Sequence, residues 1–175
     1  MKKNLFLWQL TGLTFTAIFG TLLHFLYPWT NAVALAPFCA VNESTWEHMK
    51  ILFFPLLLFA LLQCCFFYKE YQNFWCVKCI GTLLGTLCIP ILFYTYNGSF
   101  GQSPAWLNIL FFFLAAALAF LMEFWLFKKK IPLCKYSAIT IIALYITALL
   151  FVFFTFLPPK LPLFQDPITG FYGII

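Results

Sequence analysis

Ile51-Leu52-Phe53-Phe54-Pro55-Leu56-Leu57-Leu58-Phe59-Ala60-Leu61-Leu62-Gln63-Cys64-Cys65-Phe66-Phe67-Tyr68 runs for eighteen residues without a charge. With the turn that precedes it, this run reaches the length of about 20 residues that a helix needs to cross a bilayer. Working outward from it gives five such segments, approximately Leu5 to Tyr27, Trp46 to Tyr68, Phe74 to Tyr96, Trp106 to Phe127 and Tyr136 to Leu157. The pattern predicts an all-α, polytopic membrane helix bundle with five transmembrane helices in a single domain spanning residues 1–175. Composition agrees: 64% of the residues are hydrophobic and only 9% are charged, against about 25% in an ordinary soluble domain. A soluble globular protein is excluded. Turn and polar signals fill the links Pro28 to Thr45, Lys69 to Asn73, Asn97 to Ala105 and Lys128 to Lys135.

The net charge of +5 comes from ten lysines, no arginine and five acids, and in a membrane protein its position matters more than its size. Lys2, Lys3, Lys69, Lys78, Lys128, Lys129, Lys130 and Lys135 all fall on one side of five alternating spans, whereas only Lys50 and Lys160 fall on the other. The positive-inside rule therefore predicts the N-terminus in and the C-terminus out, in the cell membrane. Trp29, Trp46 and Trp106 mark the outer ends and Trp75 and Trp125 the inner ones. The expected partner is the lipid bilayer, and the basic surplus is no sign of nucleic-acid binding.

Small residues predict close helix packing. Gly12, Thr16, Gly20 and His24 follow one another at intervals of four, and Gly81 with Gly85 and Ala115 with Ala119 repeat the device. These faces also suit other membrane subunits. They argue against reading the first span as a cleaved signal peptide, although Ala32-Val33-Ala34 and Ala34-Leu35-Ala36 look like cleavage sites. Cys76-Val77-Lys78-Cys79 is a solitary CxxC at the predicted cytoplasmic end, so it points to structural cysteine rather than to zinc or redox chemistry. Cys64, Cys65, Cys88 and Cys134 read as apolar fillers.

Chemistry concentrates in Val41-Asn42-Glu43-Ser44-Thr45-Trp46-Glu47-His48-Met49-Lys50, where the chain enters the predicted outer leaflet. Ser44 and Glu47 form a capping box, Ser44 accepting from the Glu47 backbone and Glu47 reaching back to the cap. On a helical wheel Glu43, Glu47 and Lys50 fall within about 60° of one another, with Ser44 and His48 on the adjoining face. His24 sits one turn from the outer end of the first span, at a similar depth. Pro55 and Pro90 interrupt the second and third spans, freeing the carbonyls of Ile51 and Thr86, and broken helices are tolerated where they line a cavity. Tyr94, Tyr96 and Asn97 end the third span on the same side. The proline-rich, non-helical C-terminal tail from Pro158 is expected to pack on the outer face, with Asp166 either over the pocket or serving its own turn. Glu123 is expected to snorkel to the Lys128–Lys130 cluster. The candidate ligand-binding residues are therefore His24, Asn42, Glu43, Ser44, Glu47, His48, Lys50, Tyr94 and Asp166, with His24, His48 and Glu43 as candidate ligands of a divalent metal.

On this motif, and on Leu161-Pro162-Leu163-Phe164 with Asp166-Pro167 and Thr169-Gly170, the chain resembles an uncharacterised family of small bacterial multi-pass integral membrane proteins over essentially its whole length. The resemblance implies membrane residence, with a bacterial cytoplasmic membrane as the setting, and supplies no mechanism. Ser44 and His48 also share the Ser-xxx-His spacing of the seven-helix membrane hydrolases that include alkaline ceramidases, but the His-xxx-His pair is missing and the spans are too few. Three function classes stay open. The chain is a small-molecule binding or transport component, an intramembrane metal-dependent or acid-base hydrolase, or a structural or regulatory membrane partner. No nucleotide loop, GxSxG or HExxH decides among them.

Overall fold

The computed structural model describes residues 4–129 and 137–174. Lys2, Lys3, Lys130, Cys134, Lys135 and Tyr136 lie outside the described residues. Five α-helices carry the fold: α1 (Leu5–Thr30), α2 (Thr45–Phe67), α3 (Phe74–Phe100), α4 (Ala105–Phe127) and α5 (Ser137–Phe156). All five are long and apolar enough to cross a membrane, and the described residues contain no strand beyond one isolated antiparallel bridge, Gln165 to Tyr172.

Two boundaries move from the expected ones for local reasons. Helix α1 runs through Pro28 to Thr30 and stops at Asn31, whose left-handed backbone (φ 51°) donates its N–H to the Tyr27 carbonyl. A proline in the last turn costs one hydrogen bond without preventing closure of that turn. Helix α3 continues past Tyr96 to Phe100 and ends at Gly101, where φ is 89°, a conformation that favours glycine. Pro55 and Pro90 lie inside α2 and α3, which remain single helices rather than broken ones. At Pro55 the released Ile51 carbonyl lies against Gly20 of α1, where a methyl group would stand only 3.1 Å from that oxygen.

Helices α1 to α4 pack around a shared core, and α5 lies against α2 and α3. Along α5 only Leu144, Phe151 and Thr155 are buried, so most of its surface is left for lipid. The small-residue faces are occupied within the chain: Gly12 receives the Phe59 and Phe120 rings, Gly20 receives Phe112, and Gly85 receives Ala119. Close approach of this kind replaces the hydrophobic drive that helices in lipid lack.

After α5 the chain turns back as a 3-10 turn (Pro162–Phe164) and an irregular tail. Phe164 packs against Trp46 at a tilt, 4.6 Å between ring centroids, and Asn42 donates through Nδ2 to the Gly173 carbonyl at 2.8 Å. These contacts tie the tail to the segment that opens α2.

Candidate functional site

The geometry of the motif begins with the N-cap of α2. Ser44 has extended backbone and its Oγ accepts from the Glu47 N–H at 3.4 Å, while its own N–H donates to Asn42 Oδ1 at 2.9 Å. The second half of the expected capping box does not form, because the Glu47 carboxylate accepts instead from the Val41 N–H (3.0 Å) and pairs with Lys50. A cationic partner one turn along the helix outcompetes a single backbone donor.

Glu43 precedes the cap, outside the helix, and turns toward two histidines. Its carboxylate oxygens lie 3.6 Å from His24 Nε2 and 3.5 Å from His48 Nε2, and the two imidazole centroids are 5.4 Å apart. One donor atom from each of His24, Glu43 and His48 falls within 4.8 Å of the others. His48 Nδ1 lies 2.9 Å from the Ser44 carbonyl oxygen. Since a carbonyl only accepts, Nδ1 carries the proton, and in the neutral ring Nε2 faces Glu43 as a lone-pair atom. Buried His24 Nδ1 has no hydrogen-bond partner.

These three side chains line one end of a cavity of about 690 Å³ that is walled by α1, α2, α3, α4 and the tail residues Pro167 and Ile168. Most of the wall is apolar, including Ile51, Ile89, Phe93, Phe111, Phe112 and Ile109. A second polar group comes from the α3–α4 connection, where Asn97 Oδ1 accepts from the Ser103 N–H (2.7 Å) and Ser103 Oγ donates to Asn108 Oδ1 (2.6 Å). Ser103 and Asn108 were not foreseen. A polar cluster between two apolar spans is the signal that marks them.

Other candidates lie elsewhere. Glu47 and Lys50 point away from the cavity and form a buried clasp: Lys50 Nζ donates to the Ala36 carbonyl (2.8 Å), to Thr155 Oγ1 (2.8 Å) and to Glu47 Oε2 (2.5 Å). All three ammonium donors are thereby satisfied. The clasp joins α2, the α1–α2 link and α5. Cys39 is buried in the same link, and that burial pushes its thiol pKa up against the pull of Lys50. Asp166 caps its own turn, its Oδ1 accepting from the Ile168 N–H (2.8 Å) and its Oδ2 from the Thr169 hydroxyl (3.0 Å). Tyr94 is exposed and is not among the residues that line the cavity; its neighbour Phe93 is.

Toward the opposite end of the helices the structure holds a centre that sequence reasoning misread. Lys78 Nζ pairs with Glu123 Oε2 at 2.6 Å, Gln9 Nε2 donates to the same oxygen at 3.2 Å, and both ionic side chains are almost wholly buried. The Phe59 and Phe120 rings stand 5.4 and 5.5 Å from the ammonium. Glu123 therefore does not snorkel to the terminal lysines. Each ion sits one turn from a helix terminus on the same side of the bundle, Lys78 after the start of α3 at Phe74 and Glu123 before the end of α4 at Phe127, and that matched depth on neighbouring antiparallel spans was the available signal. Cys76, in the turn before Lys78, is disulfide-bonded, whereas Cys79 is free. The two cysteines of the CxxC are therefore not joined to each other.

No curated protein and no solved structure matches the chain. A family described as "Family of unknown function (DUF6512)" matches residues 1–174. With essentially the whole chain covered, the protein belongs to this family of unknown function, DUF6512.

Proposed function

We propose that the protein is an integral component of the cell membrane that captures or carries a small amphipathic molecule in a cavity open to the extracytoplasmic side, with the N-terminus inside and the C-terminal tail outside. The observation that carries this reading is the cavity itself. Its volume of about 690 Å³ lies within the range of roughly 300 to 1,000 Å³ usual for small-molecule sites, and it combines an apolar wall with a few convergent polar groups. Apolar walls suit an acyl or ring portion of the ligand. The ionisable trio at one end and the Asn97–Ser103–Asn108 group offer two anchors for a polar head.

Mass spectrometry of small molecules retained by protein purified from its own membrane tests the reading. An amphiphile retained by wild type and displaced in Ala105→Trp and Thr21→Trp, which fill the cavity, supports capture. Equal retention in all three overturns it. Orientation has its own test: a reporter fused after Ile175 is expected to behave as extracytoplasmic and one inserted between Lys129 and Lys130 as cytoplasmic. The reverse pattern moves the cavity to the cytoplasmic side.

A further inference from the structure

We propose that His24, Glu43 and His48 form a binding site for a divalent transition metal of the zinc type, with an unfilled coordination position toward the cavity. Zinc bonds of about 2.0 to 2.2 Å set neighbouring ligands of a tetrahedron about 3.3 to 3.6 Å apart. His24 Nε2 lies 3.6 Å from Glu43 Oε1 and His48 Nε2 3.5 Å from Glu43 Oε2, each close to that edge length although the two distances end on different oxygens of the carboxylate. These gaps are too long for good hydrogen bonds, so the carboxylate is not simply bridging two protonated rings. With one donor atom taken from each residue, all three already lie within 4.8 Å of one another, and side-chain rotation would bring the set to the remaining edge lengths.

Two further observations favour a metal over a solvated ion cluster. His48 is oriented by the bond between Nδ1 and the Ser44 carbonyl, the outer-shell arrangement that fixes a metal-binding imidazole with its other nitrogen free. The three ligands also come from separate elements, α1, the α1–α2 link and the first turn of α2, and the link is held in place by the Lys50 bond to the Ala36 carbonyl. Two imidazoles with one carboxylate select zinc-like ions over magnesium or calcium, which prefer all-oxygen sites. All three residues line the cavity, so the fourth position opens into it, where water or an anionic head group would bind. That last point rests on the capture reading above; metal binding by the three side chains does not. A site with three protein ligands and one open position is also the arrangement of catalytic zinc centres.

The test uses the full chain in detergent, stripped by a chelator and titrated with Zn²⁺ or Co²⁺ alone. Wild type is expected to bind one zinc ion per chain, and Co²⁺ to show the visible absorption of a tetrahedral site. His24→Ala, His48→Ala and Glu43→Gln should each weaken zinc by at least about tenfold, the loss that even an outer-shell change commonly causes. Asp166→Asn and Cys39→Ser should bind as wild type does. Gel filtration and melting identify any variant that fails to fold, and His24→Gln and His48→Gln then replace it. Wild type that takes up no zinc, or zinc retained after loss of both histidines, overturns the site. Zinc bound normally alongside amphiphile retention unchanged by Ala105→Trp would remove the capture reading and leave the metal site standing.

Discussion

Two clusters of ionisable groups in the same apolar bundle are built in opposite ways. Lys78 and Glu123 are each 1% exposed, in contact at 2.6 Å and supported by Gln9. His24, Glu43 and His48 are 24%, 43% and 22% exposed at the side chain, separated by gaps of about 3.5 Å, and leave His24 Nδ1 unpartnered. A structural ion pair in low dielectric closes to contact, because only contact offsets desolvation. The trio has remained open beside a cavity. Glu47–Lys50 belongs with the closed type although it lies within four residues of the open one. Function is thus sought where charges stay apart and accessible, and architecture where they collapse.

The comparison breaks most readily at the closed pairs. Glu123→Ala, which leaves Lys78 buried and unpaired, should cost about 3 to 5 kcal/mol in detergent unfolding, whereas Lys78→Met combined with Glu123→Leu should lie close to wild type. A small loss in the single variant would show that the centre is hydrated and not closed. Lys50→Met should fall in the same range, since Glu47 would keep only the Val41 N–H.

Packing around the same centre gives the next effect. A methyl group at Gly81 would collide with the Glu123 side chain, coming within 2.8 Å of Oε1. Gly81→Ala should therefore cost about 1 to 3 kcal/mol, as overpacked cores do, and chemical unfolding midpoints measure it. Gly81→Ala that costs nothing further in a Glu123→Ala background would locate the clash.

Smaller still is the cap. Ser44→Ala removes the acceptor for the Glu47 N–H and should cost about 0.5 to 2 kcal/mol by thermal melting. Least of all, His48→Ala and Glu43→Gln should change metal-free stability by less than about 1 kcal/mol, since partly exposed ion pairs contribute little. A loss as large as that of Glu123→Ala would move the trio into the structural class and sharpen the division differently.

The number of spans, their limits to within a few residues and the N-cap of α2 were legible in the sequence. Each depends on local physics: hydrophobic length, capping chemistry and turn residues act within one helix or at its end. The joint placement of His24 and His48 was legible from depth alone. Their meeting with Glu43, and the departure of Glu47 and Lys50 to another partner, were not. A helical wheel groups Glu43 with Glu47 and Lys50 at 100° per residue, but Glu43 lies before the Ser44 cap, where helical angles do not hold. Likewise nothing in the order of residues says that Gln9, Lys78 and Glu123 share one centre, or that Thr155 and the Ala36 carbonyl receive Lys50. Those outcomes belong to the tertiary structure because desolvation penalises every buried charge alike, while which opposite charge comes within reach is fixed only when separate helices pack.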